Sequence, residues 1–239
     1  MWQEQFKTLK DVFDFYTERN LFKLISEGHF DGLESPIGVG KEANTFSALK
    51  NGKRLLVKIY RLSTCDFNRM YDRIRADPRF ENLKNQKRKV IFAWAKRESI
   101  NLTKLNFYKM KVPKMIAQHD NILVMQFIGK NDPAPKLTHA PPKNPKKFFE
   151  EIISQIKIMY CKARFVHGDL SAFNILNWNE KPYFIDVSQA TPLTNPNAQQ
   201  MIERDIKNVS TYFRKLGLNP NERQIMSDLQ QCLKTEQKQ

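Results

Sequence analysis

The string His167-Gly168-Asp169-Leu170-Ser171-Ala172-Phe173-Asn174, with Tyr183-Phe184-Ile185-Asp186 after it, constrains this chain more than any other stretch. Two carboxylates and one carboxamide sit in loops that leave short, mostly apolar runs, 163–166 before the first and 183–185 before the second. Phosphoryl transfer from a nucleotide needs such a set. One Asp accepts or orients the proton of the attacking hydroxyl, and an Asn and a second Asp hold Mg²⁺ against the phosphates. Oxygen-only ligands suit a hard cation that keeps several waters, so Mg²⁺ or Mn²⁺ fits and zinc does not. On this reading Asp169 is the base, and Asn174 and Asp186 are the metal ligands. A turn rich in Asp, Asn and Ser is also an ordinary solvated loop. The H-x-D-x-x-x-x-N string alone therefore leaves both readings open, and the decision falls to the rest of the chain.

The 239 residues suffice for one large domain or two lobes around a cleft, and a 41% hydrophobic content supplies a core. No stretch approaches the roughly 18 uninterrupted apolar residues of a membrane span. The opening Met1-Trp2-Gln3-Glu4 begins an amphipathic stretch with acidic residues, unlike a signal peptide. Cys65, Cys161 and Cys232 are odd in number and far apart, which predicts a reducing cytosol with neither a disulfide framework nor a zinc site. Forty Lys and Arg against 25 Asp and Glu leave a net charge of +15, spread along the chain. That balance favours a polyanionic partner such as nucleic acid or a ribonucleoprotein, though a basic background would produce it too.

Residues 4 to 27 read as two helices. Phe6, Leu9, Val12, Phe13 and Tyr16, then Leu21, Leu24 and Ile25, recur at helical spacing, with Gly28 as the stop. Short extended runs follow from Phe30. Pro36-Ile37-Gly38-Val39-Gly40-Lys41-Glu42-Ala43-Asn44 leads into the run 45–49, Asn51-Gly52 signals a two-residue hairpin turn, and 55–60 returns. Gly38 and Gly40 let the backbone approach a ligand closely, and successive N–H groups there can hold phosphate oxygens. Lys41 opens a strand and not a helix, so this is no Walker A loop. Lys58 shares a strand face with Leu56 and Tyr60, and a lysine on a half-buried face needs an anion.

Residues 62 to 82 read as a mobile or partly helical insertion. The helix after it, from about Leu83 to Tyr108, carries Ile91, Trp94, Ala95, Leu102 and Leu105 as its apolar stripe, with Glu98 inside the stripe. A carboxylate there calls for a cation, and Lys58 is the candidate, as in the lysine–glutamate pair of kinases. Strands over 112–118 and 122–128 come next, then Gly129 and a loop with Pro133, Pro135, Pro141, Pro142 and Pro145, which reads as a linker between lobes. The backbone of Gln126 to Ile128 is then open to an adenine edge. Helices over 144–160, 196–216 and 221–233 complete the chain. The four histidines show no i, i+4 pairing and no G-x-S-x-G elbow occurs, which argues against a His-based metal site and a hydrolase triad.

Glycine loop, strand lysine, helix glutamate, hinge and paired loops occur in the order of a small protein kinase, yet D-F-G and A-P-E are absent. G-K-E-A-N at 40–44, V-K-I-Y at 57–60, H-G-D-L-S-A-F-N at 167–174 and I-D-V-S-Q at 185–189 resemble the first subfamily of the RIO atypical kinases. Gly168 stands where Ala is usual in that subfamily. Too few residues precede Pro36 for the winged-helix domain of the second subfamily, and the short ends resemble an archaeal-type minimal form.

The resemblance implies an α+β, bilobal kinase-like fold with an antiparallel N-lobe sheet plus helices, a mainly helical C-lobe and no activation segment. The expected division is N-terminal helices over 1–28, an N-lobe over 29–128 and a C-lobe over 129–239. Position by position, Asp169 resembles the catalytic Asp, Asn174 a metal ligand, and Asp186 the metal-binding Asp that can also accept phosphate. Lys58 and Glu98 match the ion pair, Gly38, Val39, Gly40 and Lys41 the phosphate loop, and Gln126 and Ile128 the adenine hinge. The resemblance implies an ATP-dependent serine/threonine kinase using Mg²⁺, with Mn²⁺ as a substitute. It further implies autophosphorylation, ATP hydrolysis and a part in maturing the small ribosomal subunit, with precursor rRNA as partner. A cytoplasmic location is expected, with a monomer favoured and the oligomeric state left open. Two other readings compete. The small kinase of the KEOPS tRNA-modification assembly shares an H-G-D loop but carries D-F-G-like residues where this chain has Asp186-Val187-Ser188-Gln189. An RNA-binding scaffold that merely holds ATP would not need Lys58, Asp169, Asn174 and Asp186 together.

Overall fold

In the computed structural model, which describes residues 13–63 and 65–236, helix α1 (Phe15–Ser26) comes first. The Asp14 carboxylate caps it by accepting from the Thr17 N–H at 3.0 Å, and Gly28, at φ +73°, turns the chain away. The helix expected before Phe13 lies outside the described residues. Strands β1 (Gly32–Val39), β2 (Ala43–Lys50) and β3 (Lys53–Tyr60) then run as an antiparallel meander. Asn51 and Gly52 join β2 to β3 with φ of 49° and 73°, the left-handed pair that a type I′ turn demands and that Asn-Gly adopts readily.

Strands β4 (Met115–His119) and β5 (Ile122–Gln126) complete a five-stranded sheet in the order β1-β2-β3-β5-β4. Leu21 and Leu24 of α1 pack with Phe46, Ala48, Val57, Ile59, Ile122 and Val124, the inward-pointing set of the central strands. This sheet and α1 belong to one compact unit, made of residues up to Tyr71 together with Leu83–Lys96 and Met115–Phe127. A second unit gathers Asp72–Asn82, Arg97–Lys114 and the chain from Ile128 onward. The units are interleaved because helix α3 (Lys87–Phe107) starts in the first and ends in the second.

Part of the expected insertion is regular. Helix α2 (Phe67–Arg75) is followed by a 3₁₀ turn (Pro78–Phe80), whose capping residue Asp77 is fully buried. The proline-rich loop is also no slack linker. The Ala134 N–H donates to the Ile128 carbonyl at 2.8 Å, the Leu137 N–H to the Ile175 carbonyl at 2.8 Å, and the Asn177 N–H to the Pro135 carbonyl at 2.9 Å. Proline has no N–H to give, so the residues between the prolines donate, and Leu137 is buried beneath them.

The second unit continues with α4 (Pro145–Lys157), capped by the Asn144 side chain, and a π-helical turn (Ile158–Lys162). Two short antiparallel pairs follow, β6 (Phe165–Val166) with β9 (Thr191–Pro192) and β7 (Ile175–Trp178) with β8 (Lys181–Phe184). Helices α5 (Ala198–Arg214) and α6 (Glu222–Glu236) close the chain. Cys161 and Cys232 form a disulfide across 71 residues, while Cys65 is free and buried. This corrects the expectation of unpaired thiols: an odd count requires one free cysteine, not three, and spacing does not reveal which two meet in the fold. Among the described residues no helix is long and apolar enough to cross a membrane.

Candidate active site

Within the sheet-bearing unit, Gly38, Val39, Gly40 and Lys41 occupy the end of β1 and the connection to β2, and all four are exposed. The Gly40 N–H donates to the Ala43 carbonyl at 3.0 Å, and the pairing of β1 with β2 slips between Pro36 and Gly38. A Cβ at Gly40 would lie 2.8 Å from the Ala43 carbonyl oxygen, so the tight return admits no side chain without moving backbone. Lys58 lies on β3, half-buried, opposite Thr45 and Leu123 in the ladder, with its ammonium 5.0 Å from the centre of the Tyr60 ring. Gln126 ends β5 opposite Leu55.

The other predicted residues fall in the second unit. Glu98 lies on α3 and is 2% exposed, in keeping with its place in the apolar stripe. The Ile128 carbonyl is taken by Ala134, so an adenine contact at that residue would fall to its N–H. Asp169, Asn174 and Asp186 are drawn together by short hydrogen bonds. The Asn174 carboxamide N–H donates to the Asp169 carbonyl at 2.8 Å and more distantly to Asp169 Oδ2 at 3.5 Å. The Ile185 N–H donates to the Asn174 carbonyl at 3.0 Å, which sets Asp186 two residues beyond the close of the β7–β8 pair. Asp186 itself adopts the left-handed region at φ 56°, accepts from the Ser188 hydroxyl at 2.8 Å and is exposed.

This donor chemistry fits a hard cation. The Asn174 amide nitrogen donates to Asp169, which leaves its carboxamide oxygen as the atom that would meet a cation. Among the described residues no group of three or more His, Cys, Asp and Glu could hold a metal. An ion here would complete its shell with phosphate oxygens and water, as Mg²⁺ does.

Why the loop before Asp169 holds its shape is explained by α5. Asp205, 1% exposed, accepts from the Gly168 N–H at 2.7 Å and the Leu170 N–H at 2.8 Å, so one carboxylate grips the backbone on both sides of Asp169. Arg204 donates to the Gly168 carbonyl and Asn208 to the Leu170 carbonyl. Burial pushes the Asp205 carboxyl up to about 6, against the opposing pull of His167, the two N–H groups and Arg204. His167 Nε2 lies 3.2 Å from the Ile185 carbonyl, tying the first loop to the second. Gly168 has φ +79°, and a Cβ there would meet Met201 Cε at 2.9 Å and the Gln189 carbonyl at 3.2 Å.

The 3₁₀ turn after Asp186 (Val187–Gln189) is held from α3. The Asn101 carboxamide donates to the Val187 and Ala190 carbonyls, both at 2.8 Å, and Arg97 Nη2 donates to the Gln189 carbonyl at 3.3 Å. Arg97 in turn pairs with Asp77 at 3.0 Å, and Arg79 bridges Asp77 and Asn101. Burial lowers Arg97 to about 10, which leaves it charged at neutral pH. Burial raises Asp77, but the Arg79 hydrogen bond and the charges of Arg97 and Arg79 outweigh it and hold that carboxyl below its usual range. Sequence reasoning passed over Asp205 and Asn101. The signal that picked out Glu98 would have found both: Asp205 lies among Ile202, Ile206, Val209 and Phe213, and Asn101 among Trp94, Leu102 and Leu105, polar residues inside apolar stripes.

A family model of the RIO domain matches residues 44–225. The RIO-type serine/threonine-protein kinase Rio1 of Haloferax volcanii is 38% identical over 216 residues, covering 90% of this chain and 74% of that protein. Its counterpart in Methanocaldococcus jannaschii is 37% identical over 219 residues, covering 91% and 75%. The human serine/threonine-protein kinase RIO1 is 35% identical over 87% of this chain but only 38% of its own length. Among solved structures, the Rio2 kinase–ADP/Mg²⁺–phosphoaspartate complex of Chaetomium thermophilum superposes with a TM-score of 0.67 at 21% identity, over 92% of this chain and 75% of that one. That likeness extends to the fold.

Proposed function

The chain belongs to the RIO family of serine/threonine protein kinases, and from that premise we propose that it transfers the γ-phosphoryl group of ATP with Asp169, Asn174 and Asp186 as its reacting set. The observation that carries the proposal is the hydrogen-bonded closure of Asp169 on Asn174, and of Asn174 on the segment that presents Asp186. Asp169 orients the acceptor and takes its proton. Asn174 and Asp186 would hold Mg²⁺, which when bound neutralises charge on the phosphates. Gly38, Val39, Gly40 and Lys41, with Lys58, bind the nucleotide phosphates, and Glu98 acts with Lys58. The backbone of Gln126 and Ile128 receives the adenine. A double-mutant cycle on ATP affinity tests the functional coupling of Lys58 to Glu98, and strict additivity of the two Ala variants would contradict it.

Asp186 is also the acceptor of a transient phosphate. Its carboxylate oxygen forms a bond to the γ-phosphorus as the bond to the ADP oxygen breaks, and water, oriented by Asp169 and losing its proton to it, later cleaves the acyl phosphate to free phosphate and the carboxylate. The phosphoaspartate named for the Chaetomium protein supports this reading. The expected result is slow, Mg²⁺-dependent ATP turnover in which briefly trapped label is released by hydroxylamine. Turnover indifferent to chelation of Mg²⁺ would contradict the transferase reading, and label wholly stable to hydroxylamine would reduce Asp186 to a metal ligand.

The small-subunit precursor is the proposed partner and the cytoplasm the proposed location, supported by the family resemblance and by a charge of +15. Binding to precursor rRNA then weakens steeply as salt rises, because each neutralised phosphate releases counterions. Affinity flat between low and moderate salt would leave the charge to solubility alone.

A further inference from the structure

We infer that Gln189 is the positioning residue for Asp169, and that Asn101 and Arg97 of α3 fasten the turn that carries it. The inference rests on the role assigned to Asp169 above. Gln189 Nε2 donates to Asp169 Oδ2 at 3.2 Å, closer than the 3.5 Å contact from Asn174 to the same oxygen. Both side-chain donors therefore converge on Oδ2 and turn Oδ1 towards whatever loses its proton. A carboxylate on a loop can rotate about its side-chain bonds, and two donors on one oxygen remove that freedom.

Gln189 can do this only if its own backbone is fixed. One carboxamide, that of Asn101, donates to the carbonyls on either side of the turn, at Val187 and Ala190, both at 2.8 Å. Arg97 holds the carbonyl of Gln189 itself. These groups are locked in turn: Asn101 Oδ1 accepts from Arg79 at 2.9 Å, Arg97 pairs with Asp77 at 3.0 Å, and Asn101, Arg97 and Asp77 are each 1% exposed or less. Burying such a set costs desolvation that apolar side chains of similar volume would avoid, and what it returns is a single backbone geometry. The segment 72–82, far in sequence from the catalytic loop, thus reaches the turn that carries Gln189 through the Arg79–Asn101 hydrogen bond and the Asp77–Arg97 ion pair.

The test is a kinetic cycle between Gln189 and Asp169 in the full chain. Gln189→Met keeps the length of the side chain and removes the donor. Gln189→Asn keeps the carboxamide but withdraws it by one methylene. Both are expected to lower kcat by about tenfold, the loss of one hydrogen bond to a charged group, with KM for ATP and the melting temperature unchanged. In an Asp169→Asn background, Gln189→Met is expected to change kcat no further, a coupling that a merely structural side chain would not show. Gln189 variants at full kcat, or losses that simply multiply with Asp169→Asn, overturn this inference alone. Asp169→Asn turning over at the wild-type rate overturns the role of Asp169 and this inference with it.

Discussion

The glycine loop and the two carboxylate loops, both proposed above to meet the nucleotide, are held in opposite ways. Around Gly40 the geometry is made by backbone: a strand ladder, a slipped pairing and a return too tight for a Cβ, all within a few residues of one another. Around Asp169 the geometry is made by side chains from distant elements, with Asp205 gripping residues 35 and 37 positions earlier and Asn101 gripping carbonyls 86 and 89 positions later. The first device is exposed. The second is buried and fixes one arrangement in advance, as a reacting group requires and a phosphate cradle does not.

If that contrast holds, damage to the two regions should differ in kind as well as size. The largest effect is expected from Asp205→Ala. Two buried N–H groups lose their acceptor, which costs about 3 kcal/mol of stability, and turnover falls because the backbone on both sides of Asp169 is released. Thermal unfolding and ATP turnover measure the two losses, and a variant with native turnover would show that α5 does not hold the loop. Asn101→Ala comes next, at about 2 kcal/mol for two buried carbonyls without a donor, with kcat lowered and ATP affinity unchanged.

The two glycines separate the regions most cleanly. Gly168→Ala forces a side chain into the left-handed region, at about 1 kcal/mol, against a Met201 methyl that can move aside and the Gln189 carbonyl oxygen at 3.2 Å; it should lower melting temperature and kcat. Gly40→Ala meets the Ala43 carbonyl oxygen at 2.8 Å, so the exposed return must shift, and it should weaken ATP binding more than it lowers melting temperature. Equal effects of both on nucleotide affinity would erase the distinction.

A pH dependence is expected as well. Burial pushes the Asp205 carboxyl up to about 6 in the folded protein, well above the ordinary carboxylate range, so the folded state holds its proton more tightly. Its contribution to stability is therefore present below about pH 4 and is lost as pH rises through about 6. Subtracting the melting profile of Asp205→Asn from that of the parent isolates this slope, and a slope of the opposite sign would contradict the burial argument.

Which parts of the molecule were readable in advance follows the same division. The Asn51-Gly52 hairpin, the glycine-bearing strand and the burial of Glu98 each rest on neighbours within one turn or one ladder, and local pattern was enough to find them. The insertion over 62–82 read as mobile or partly helical, and its helix is present; the burial of Asp77 was not legible because it depends on Arg97, twenty positions on, as well as on Arg79. The proline-rich loop read as a linker by composition, yet it packs through the N–H groups of Ala134 and Leu137. The Cys161–Cys232 bond was invisible because spacing says nothing about which helices meet. Asp205 and Asn101 were legible in principle, since a polar residue inside an apolar stripe must have a buried partner.

The central claim is that Asp169 serves the chemical step while other residues bind nucleotide. Nucleotide affinity and phosphoryl transfer measured side by side for Asp169→Ala test it most directly. The expected result is ATP affinity close to that of the parent, with transfer reduced by about 10²–10⁴, the loss of a well-placed proton acceptor. Transfer at the parental rate, or loss of transfer accounted for entirely by loss of ATP binding, would contradict it.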